Sequence, residues 1–241
     1  MPLPCRTLPM RCARFARFSP TLLALALAAS GAPGVAAPLA RSIHAVPGGA
    51  PAARLSADAR TIAAWVVAEH DAHGLPFLIV DKKQATVSAF DAAGHLLASA
   101  PALLGLARGD DSVPGIGERR IADIRPFERT TPAGRFEAEL GTNAGGEDIL
   151  WVDYDAAVSM HRVRPVKASE RRLERLASPT PDDNRISYGC INVPPSFYDG
   201  FVRPLFLPRN GIVYVLPDSK PLGAVFGGAV TRTAATRSAH R

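Results

Sequence analysis

The stretch RISYGCINV, residues 185–193, places one cysteine directly after a glycine and between two candidate strand ends. Glycine lets a backbone approach a ligand closely and leaves the neighbouring amides free to point at one spot. The other two cysteines, Cys5 and Cys12, lie in an N-terminal stretch that resembles an export signal. A solitary thiol in an oxidising compartment has no disulfide partner. We therefore predict a chemical role for Cys190; a buried cysteine that packs as a small hydrophobe is the alternative.

Residues 1–36 have the three parts of a cleavable secretory signal. Four arginines and no acidic side chain precede an apolar run at residues 21–29. That run is too short to cross a bilayer, which takes about 20 residues. Small residues follow, and cleavage after Ala36 satisfies the small-x-small rule with Gly34. We predict an exported protein that meets the membrane only through this transient segment; an uncleaved anchor is the alternative.

The basic charge of the chain comes largely from this leader. The chain has 28 basic and 22 acidic side chains, a net charge of +6. Without the four arginines of the leader, 24 basic side chains stand against 22 acidic ones, a net charge of +2. A nucleic-acid partner therefore loses its main support.

Beyond the leader, composition divides the chain further. Residues 37–55 are rich in alanine, proline and glycine and predict a flexible linker. A short N-terminal helix is predicted over residues 56–73, with Ser56 as its N-cap. Its apolar stripe would be Ile62, Trp65 and Val66. His70 and His73 have no further ligand cluster beside them, so a metal site is not predicted.

Short strands dominate the remaining pattern. The predicted strands are residues 76–80, 85–90, 95–104, 136–140, 149–154, 158–161 and 211–216. Two further helices are predicted at residues 169–176 and 196–205. The fold class is therefore mainly β with a few short helices, a β-rich α+β fold, with one domain of mixed sheets over residues 74–218. Residues 219–241 are small and polar and predict a disordered tail.

A thiol needs a base or a cation beside it to react as a thiolate at neutral pH, because its ordinary pKa is about 8.5. The best candidate base is His161, at the end of the strand-like run 157–161. Backbone amides next to Cys190 would suit an oxyanion hole, where each donor is worth about 3 kcal/mol. Spacing alone leaves open whether His161 meets the thiol.

The segment SYGCIN, residues 187–192, resembles the Ser-His-Gly-Cys-hydrophobic-Asn signature of the L,D-transpeptidase catalytic domain family (YkuD-like). His161 stands in the place of that family's upstream histidine. Three other elements agree in order: TPAGRF at residues 131–136, an opening hairpin at 79–91 and a closing strand at 211–217. The resemblance covers about residues 75–217.

This resemblance implies a cysteine acyltransferase of peptidoglycan biosynthesis and cell wall organisation. Cys190 would attack the carbonyl of diaminopimelate, the third residue of a tetrapeptide stem, and D-alanine would leave. The resulting thioester would pass to an amine of a second stem peptide or of a wall-anchored protein acceptor. No metal or organic cofactor is implied. Diaminopimelate implies a bacterium, and with the export signal it implies a periplasmic location.

The resemblance also implies roles for the residues around the thiol. His161 would take the thiol proton, oriented by the backbone carbonyl of Arg162. The segment of Ser187, Tyr188, Gly189 and Cys190 would form the oxyanion loop. Asn192 would shape this loop or bind substrate. Arg185 is singled out as a substrate-binding residue because it lies five positions before the thiol.

Two features depart from the family pattern. Tyr188 replaces the usual histidine before Gly-Cys, and its phenol would pack or hydrogen-bond at the site entrance. The stretch 162–186 is longer than usual and rich in cations. It would form either a cap whose cations meet stem-peptide carboxylates, or a solvated helix with ordinary charge pairs.

Two other functions stay open at this stage. Water instead of an amine would resolve the same thioester, giving a peptidoglycan hydrolase or amidase. A peptidoglycan-binding module that has lost activity is the third possibility; Tyr188 favours it, while Cys190 and His161 argue against it. Motifs of zinc proteases, serine hydrolases and phosphate-binding loops are missing from the sequence.

Overall fold

A computed structural model of the chain describes residues 55–228 and residue 230. Within these residues ten strands form: β1 Phe77–Asp81, β2 Thr86–Phe90, β3 Leu96–Pro101, β4 Leu104–Gly105, β5 Gly134–Thr142, β6 Asp148–Asp153, β7 Val158–Arg162, β8 Arg185–Ser187, β9 Ile191–Val193 and β10 Gly211–Val215. The α-helices of this part of the chain are α1 Ala57–Ala68, α2 Arg172–Ala177, α3 Pro195–Phe197, α4 Arg203–Phe206 and α5 Leu222–Phe226, and a π-helical turn, Tyr198–Val202, joins α3 to α4. None of the described helices is long and apolar enough to span a membrane.

Eight of the strands make one mixed sheet in the order β3-β2-β1-β10-β5-β6-β7-β9. The β1–β10 and β7–β9 pairs are parallel, and the other pairs are antiparallel. The remaining strands, β4 and β8, pair in parallel as a separate ribbon. The predicted fold class, mainly β with mixed sheets and a few short helices, is confirmed.

Strand β1 shows how both faces of the sheet are covered. Successive side chains of a strand point to opposite faces. Leu78 and Val80 join one buried cluster together with the helical segment 195–206, while Phe77 and Ile79 join a second cluster under α1. A strand that is covered on both faces has a continuous apolar sequence rather than alternating apolar and polar residues.

Helix α1 begins where its N-cap was predicted. The Ser56 hydroxyl accepts a hydrogen bond from the backbone N–H of Ala59 at 3.0 Å. The predicted apolar stripe of Ile62, Trp65 and Val66 is buried. The helix ends at Ala68, earlier than predicted, because His70 and His73 adopt positive φ values of 54° and 51°, which a right-handed helix excludes.

The segment 219–241 contains a helix that the prediction of a disordered tail missed. Phe226 at the end of α5 packs against Trp65 and Tyr214 at ring-centroid distances of 6.2 and 6.1 Å. The prediction is therefore wrong for residues 219–228, because a few aromatic contacts anchor an otherwise small and polar stretch. The predicted signal peptide, the linker up to residue 54 and the end of the tail lie outside the described residues.

The two helices predicted in the second half of the chain are present with shifted bounds. The first prediction, residues 169–176, matches a 3-10 turn at Ala168–Glu170 followed by α2. The second, residues 196–205, matches the continuous segment from α3 through the π-helical turn to α4.

Candidate active site

The site is built on the parallel pair β7–β9. His161 lies beside Asn192 in the register of this pair. Two positions earlier on each side, Ser159 and Cys190 meet, with 3.6 Å between Oγ and Sγ. Because side chains alternate along a strand, these four residues share one face of the sheet. The pairing of the two strands therefore brings the predicted base and the predicted nucleophile together.

The ring of His161 is oriented by the backbone, as predicted. Its Nδ1–H donates to the carbonyl oxygen of Arg162 at 2.8 Å. This bond leaves Nε2 as the proton acceptor, which is the tautomer that a general base needs.

The electrostatics of the pair favour the charged form of both groups. Burial alone would raise the pKa of the Cys190 thiol, but its interactions with His161 and with Ser159 lower it below its usual value. Burial alone would lower the pKa of His161, but its interaction with Cys190 raises it above its usual value. Opposite shifts in contacting groups are typical of a thiolate–imidazolium pair.

Gly189 allows the loop before the thiol to pass close to the neighbouring segment. Its φ is +131°, and a Cβ at this position would lie 2.7 Å from the carbonyl oxygen of Thr130. The Thr131 hydroxyl donates to the Gly189 carbonyl at 2.8 Å. Any residue with a side chain would therefore strain this turn and push it away from Thr130.

The loop differs from the predicted oxyanion hole in one respect. The backbone N–H of Gly189 donates to the Ser187 hydroxyl at 3.1 Å, and this hydroxyl donates to the Cys190 carbonyl at 2.6 Å. The amide of Gly189 is thus occupied, and its assignment as an oxyanion donor is wrong. Within residues 55–228, no hydrogen bond occupies the backbone N–H of Tyr188 or of Cys190, so these two amides are the available donors.

Arg185 does not face a substrate. Its side chain is buried, and Nη2 donates to Asp218 Oδ1 at 2.6 Å and to the Lys82 carbonyl at 2.9 Å. The prediction of a substrate-binding role is wrong, because β8 turns this side chain into the interior rather than toward the loop that follows.

Asn192 is also buried, with 1% of its surface exposed, so it contacts the base and not the substrate. Its Nδ2 lies 3.3 Å from Nε2 of His161, and its Oδ1 accepts from Arg172 at 2.6 Å. Arg172 belongs to α2 and is itself held by Glu170 at 2.5 Å.

The long stretch 162–186 fits neither predicted description as a whole. Arg171 and Glu174 form an exposed pair on the surface of α2, as expected of a solvated helix. Arg172, one position further on, reaches into the site instead. No local sequence signal distinguishes these two arginines.

Sequence reasoning also missed Ser159. Its hydroxyl and its backbone both contact the thiol. The signal was available, since Ser159 lies two positions before His161 on a predicted strand and must share its face.

Tyr188 lies at the entrance of the site, as expected, with 37% of its surface exposed. The guanidinium of Arg129 stacks on its ring, with 3.9 Å between the guanidinium carbon and the ring centroid. Its role is thus tied to a cation that the sequence did not single out.

No protein-family model matches the chain, and no curated protein matches it. The structure is similar to the cell shape determining protein Pgp2 from Campylobacter jejuni (12% identity, TM-score 0.40), over 69% of this chain and 53% of that one. It is also similar to the L,D-transpeptidase LdtMt1 in complex with imipenem (15% identity, TM-score 0.31), over 58% of each chain. A third similar structure is the catalytic domain of an E. faecium L,D-transpeptidase (18% identity, TM-score 0.29), matched over 58% of this chain and 95% of that one.

The match thus spans little more than half the length of the first two proteins. With identities below 25% and TM-scores below 0.5, these likenesses leave the function to be inferred from the site itself.

Proposed function

We propose that this protein is an exported L,D-transpeptidase that acylates Cys190 with peptidoglycan stem peptides in the periplasm. The observation that carries the proposal is the placement of Cys190 and His161 on one face of the β7–β9 pair, with their pKa values shifted in opposite directions. The resemblance of residues 187–192 to the L,D-transpeptidase signature supplies the substrate class.

In the proposed acylation the Cys190 thiolate attacks the carbonyl carbon at the L-to-D junction of a tetrapeptide stem. The C–S bond forms as the C–N bond breaks. The imidazolium of His161 gives its proton to the departing amine, and D-alanine leaves. The backbone N–H groups of Tyr188 and Cys190 would stabilise the oxyanion, at about 3 kcal/mol each.

In the second half-reaction the amine of an acceptor stem, or of a wall-anchored protein, attacks the thioester. Neutral His161 accepts a proton from this amine, an amide forms, and the thiolate is restored. Water in place of the amine would release a free carboxylate. No contact among the described residues favours hydrolysis, so it is kept as an outcome of the experiment.

Tyr188 is compatible with catalysis. It replaces a histidine of the family signature, but His161 with its Arg162 carbonyl already supplies the base and its orientation. The retained thiol–imidazole pair supports an enzyme rather than an inactive binding module.

The test is covalent trapping followed by turnover. Purified protein is incubated with a carbapenem, an acylating mimic of the donor stem, and the intact mass and the modified peptide are measured. We expect one adduct on Cys190, none there in the Cys190→Ser variant, and a strongly slowed reaction in His161→Ala. His95→Ala removes an exposed histidine and serves as the matched control.

The outcomes separate the three functions. Release of D-alanine from a disaccharide-tetrapeptide with formation of a cross-linked dimer supports transpeptidation, and a tripeptide without dimer indicates hydrolysis. The enzyme proposal would be overturned in favour of a binding module if the wild type formed no adduct and released no D-alanine. Cooperative thermal unfolding of the same protein would show that it is folded.

A further inference from the structure

The Arg129 side chain is held in one place beside Tyr188, in the loop of residues 187–190. Its side-chain Nε and Nη2 both donate to the carbonyl of Ile124, at 3.2 and 3.0 Å. One face of the guanidinium lies 3.9 Å from the centroid of the Tyr188 ring. Stacking on an aromatic ring and a fixed acceptor leave this planar cation little rotational freedom.

The backbone that carries Arg129 is equally fixed. The Arg129 carbonyl accepts a hydrogen bond from Ala107 at 3.0 Å. The next two residues, Thr130 and Thr131, contact Gly189 directly through the close approach and the hydrogen bond described above. The cation is therefore pre-positioned next to the loop that leads into Cys190.

No carboxylate balances this cation. Within residues 55–228 no acidic side chain lies within 4.0 Å of the Arg129 guanidinium, whereas Arg119 and Arg120 on the same segment pair with Glu128 and Asp123 at 2.9 and 2.8 Å. Nη1 of Arg129 makes no hydrogen bond in this part of the chain either. A half-buried guanidinium with free donors, next to the loop that leads into a nucleophile, is suited to a carboxylate supplied by a ligand.

We propose that Arg129 binds the terminal carboxylate of the D-amino acid that leaves when Cys190 is acylated. This inference rests on the proposed function and adds the recognition of the leaving group to it. The carboxylate lies one residue beyond the scissile carbonyl, so it stays close to the Tyr188–Cys190 loop when that carbonyl contacts the thiol. Arg129 makes no bond to the reacting atoms. It selects donor stem peptides whose chain ends at the D-amino acid directly after the scissile carbonyl.

The experiment compares two donor peptides that differ only in this group. One is the tetrapeptide stem with a free terminal carboxylate, and the other is its C-terminal amide. Release of D-alanine or D-alaninamide is measured with the full protein as kcat/KM. We expect the wild type to prefer the carboxylate about 10- to 100-fold, the range for hydrogen bonds to a charged group, mainly through KM.

Arg129→Met should remove most of this preference by slowing only the carboxylate donor. Arg129→Lys should keep part of it, since an ammonium retains the charge but not the planar donor pair. The matched control is Arg125→Met, which removes an exposed arginine of the same segment that also faces an aromatic ring, Phe127 at 6.0 Å. It should keep the wild-type preference.

Alkylation of Cys190 by iodoacetamide, a neutral probe, reports whether the loop is intact in Arg129→Met, and its rate should be unchanged. A wild type that releases both leaving groups equally well, or an Arg129→Met variant that keeps the full preference, would overturn the inference alone. Failure of the wild type to release either leaving group and to react with a carbapenem would instead overturn the proposed function.

Discussion

At the scale of single residues, the site depends on the contact between Cys190 and His161. The thiol is partly exposed, so it is open to a substrate. The carbonyl oxygen of Ala157 also lies near the thiol, 3.8 Å from Sγ, and offers no positive charge. The lowered pKa of the thiol therefore depends on the imidazole and on the donors of Ser159.

Replacing His161 with alanine should raise the pKa of Cys190. Burial raises this pKa in the folded protein, and the interaction with His161 lowers it. Without the imidazole, the effect of burial is no longer offset to the same extent, so the pKa rises. The measurement is the rate of Cys190 alkylation by iodoacetamide against pH, followed by peptide mass. The midpoint should move to higher pH in His161→Ala and stay in place in His95→Ala. An unchanged midpoint in His161→Ala would show that the imidazole does not support the thiolate.

At the scale of elements, α2 contributes to the site from outside the sheet. A guanidinium only donates, so Arg172 fixes the amide of Asn192 with Oδ1 toward α2 and Nδ2 toward His161. Because Nδ2 of Asn192 can only donate a hydrogen bond, its contact with Nε2 favours the neutral form of the His161 ring. Burial and the Arg172 charge lower the pKa of His161, while Cys190 raises it and prevails.

Replacing Arg172 with methionine should free the amide of Asn192 to rotate. Its Oδ1 can then accept from Nε2–H of His161, which stabilises the imidazolium and delays proton transfer to the leaving amine. We expect acylation about 10- to 100-fold slower, with the basic limb of the pH–rate profile moved to higher pH. Arg171→Met replaces the exposed residue just before α2 and should change neither the rate nor the limb. A purely structural role for Arg172 would lower the rate without moving the limb.

At the scale of the whole molecule, a buried charge cluster joins distant segments. Lys82 contacts Asp110 at 3.0 Å and Asp218 at 3.6 Å, and Arg185 contacts Asp218 at 2.6 Å. Two cations thus balance two carboxylates behind β1, β8 and β10. Burial raises the pKa of Asp110, but backbone N–H groups after β10 and Lys82 hold it well below its usual range.

Asp110→Asn should destabilise the fold by about 3–5 kcal/mol at neutral pH, because it removes one of two buried carboxylate charges and leaves Lys82 and Arg185 opposite Asp218 alone. Urea unfolding measures this free energy. Asp58→Asn, which breaks an exposed pair with Lys83, should cost about 0–1 kcal/mol.

The pH dependence of stability gives a second readout. Because the folded pKa of Asp110 is lowered, its stabilisation is present above the unfolded pKa of about 4 and is lost as pH falls toward the folded pKa. Unfolding of Asp110→Asn should therefore depend less on pH below about 4 than unfolding of the wild type. Parallel curves for the two proteins would contradict a role for this carboxylate in acid stability.

The sequence by itself determined the features that depend on neighbours along the chain. Short apolar runs and period-two alternation located the main strands, and an N-cap serine before a helical stripe located α1. Cys190 was identified because it is a solitary thiol directly after a glycine. His161 was identified because it is a possible base at the end of a predicted strand. Local geometry and side-chain chemistry are sufficient for such features.

Tertiary structure alone decided which side chains meet the pair. Arg185 lies next to the motif yet points inward to Asp218, while Arg129 and Arg172, remote in sequence, reach Tyr188 and Asn192. Thr131 and Gly189 are 58 positions apart and share a hydrogen bond. Such contacts depend on strand register and on the path of long loops, and both are set by the packing of the whole chain rather than by any local pattern.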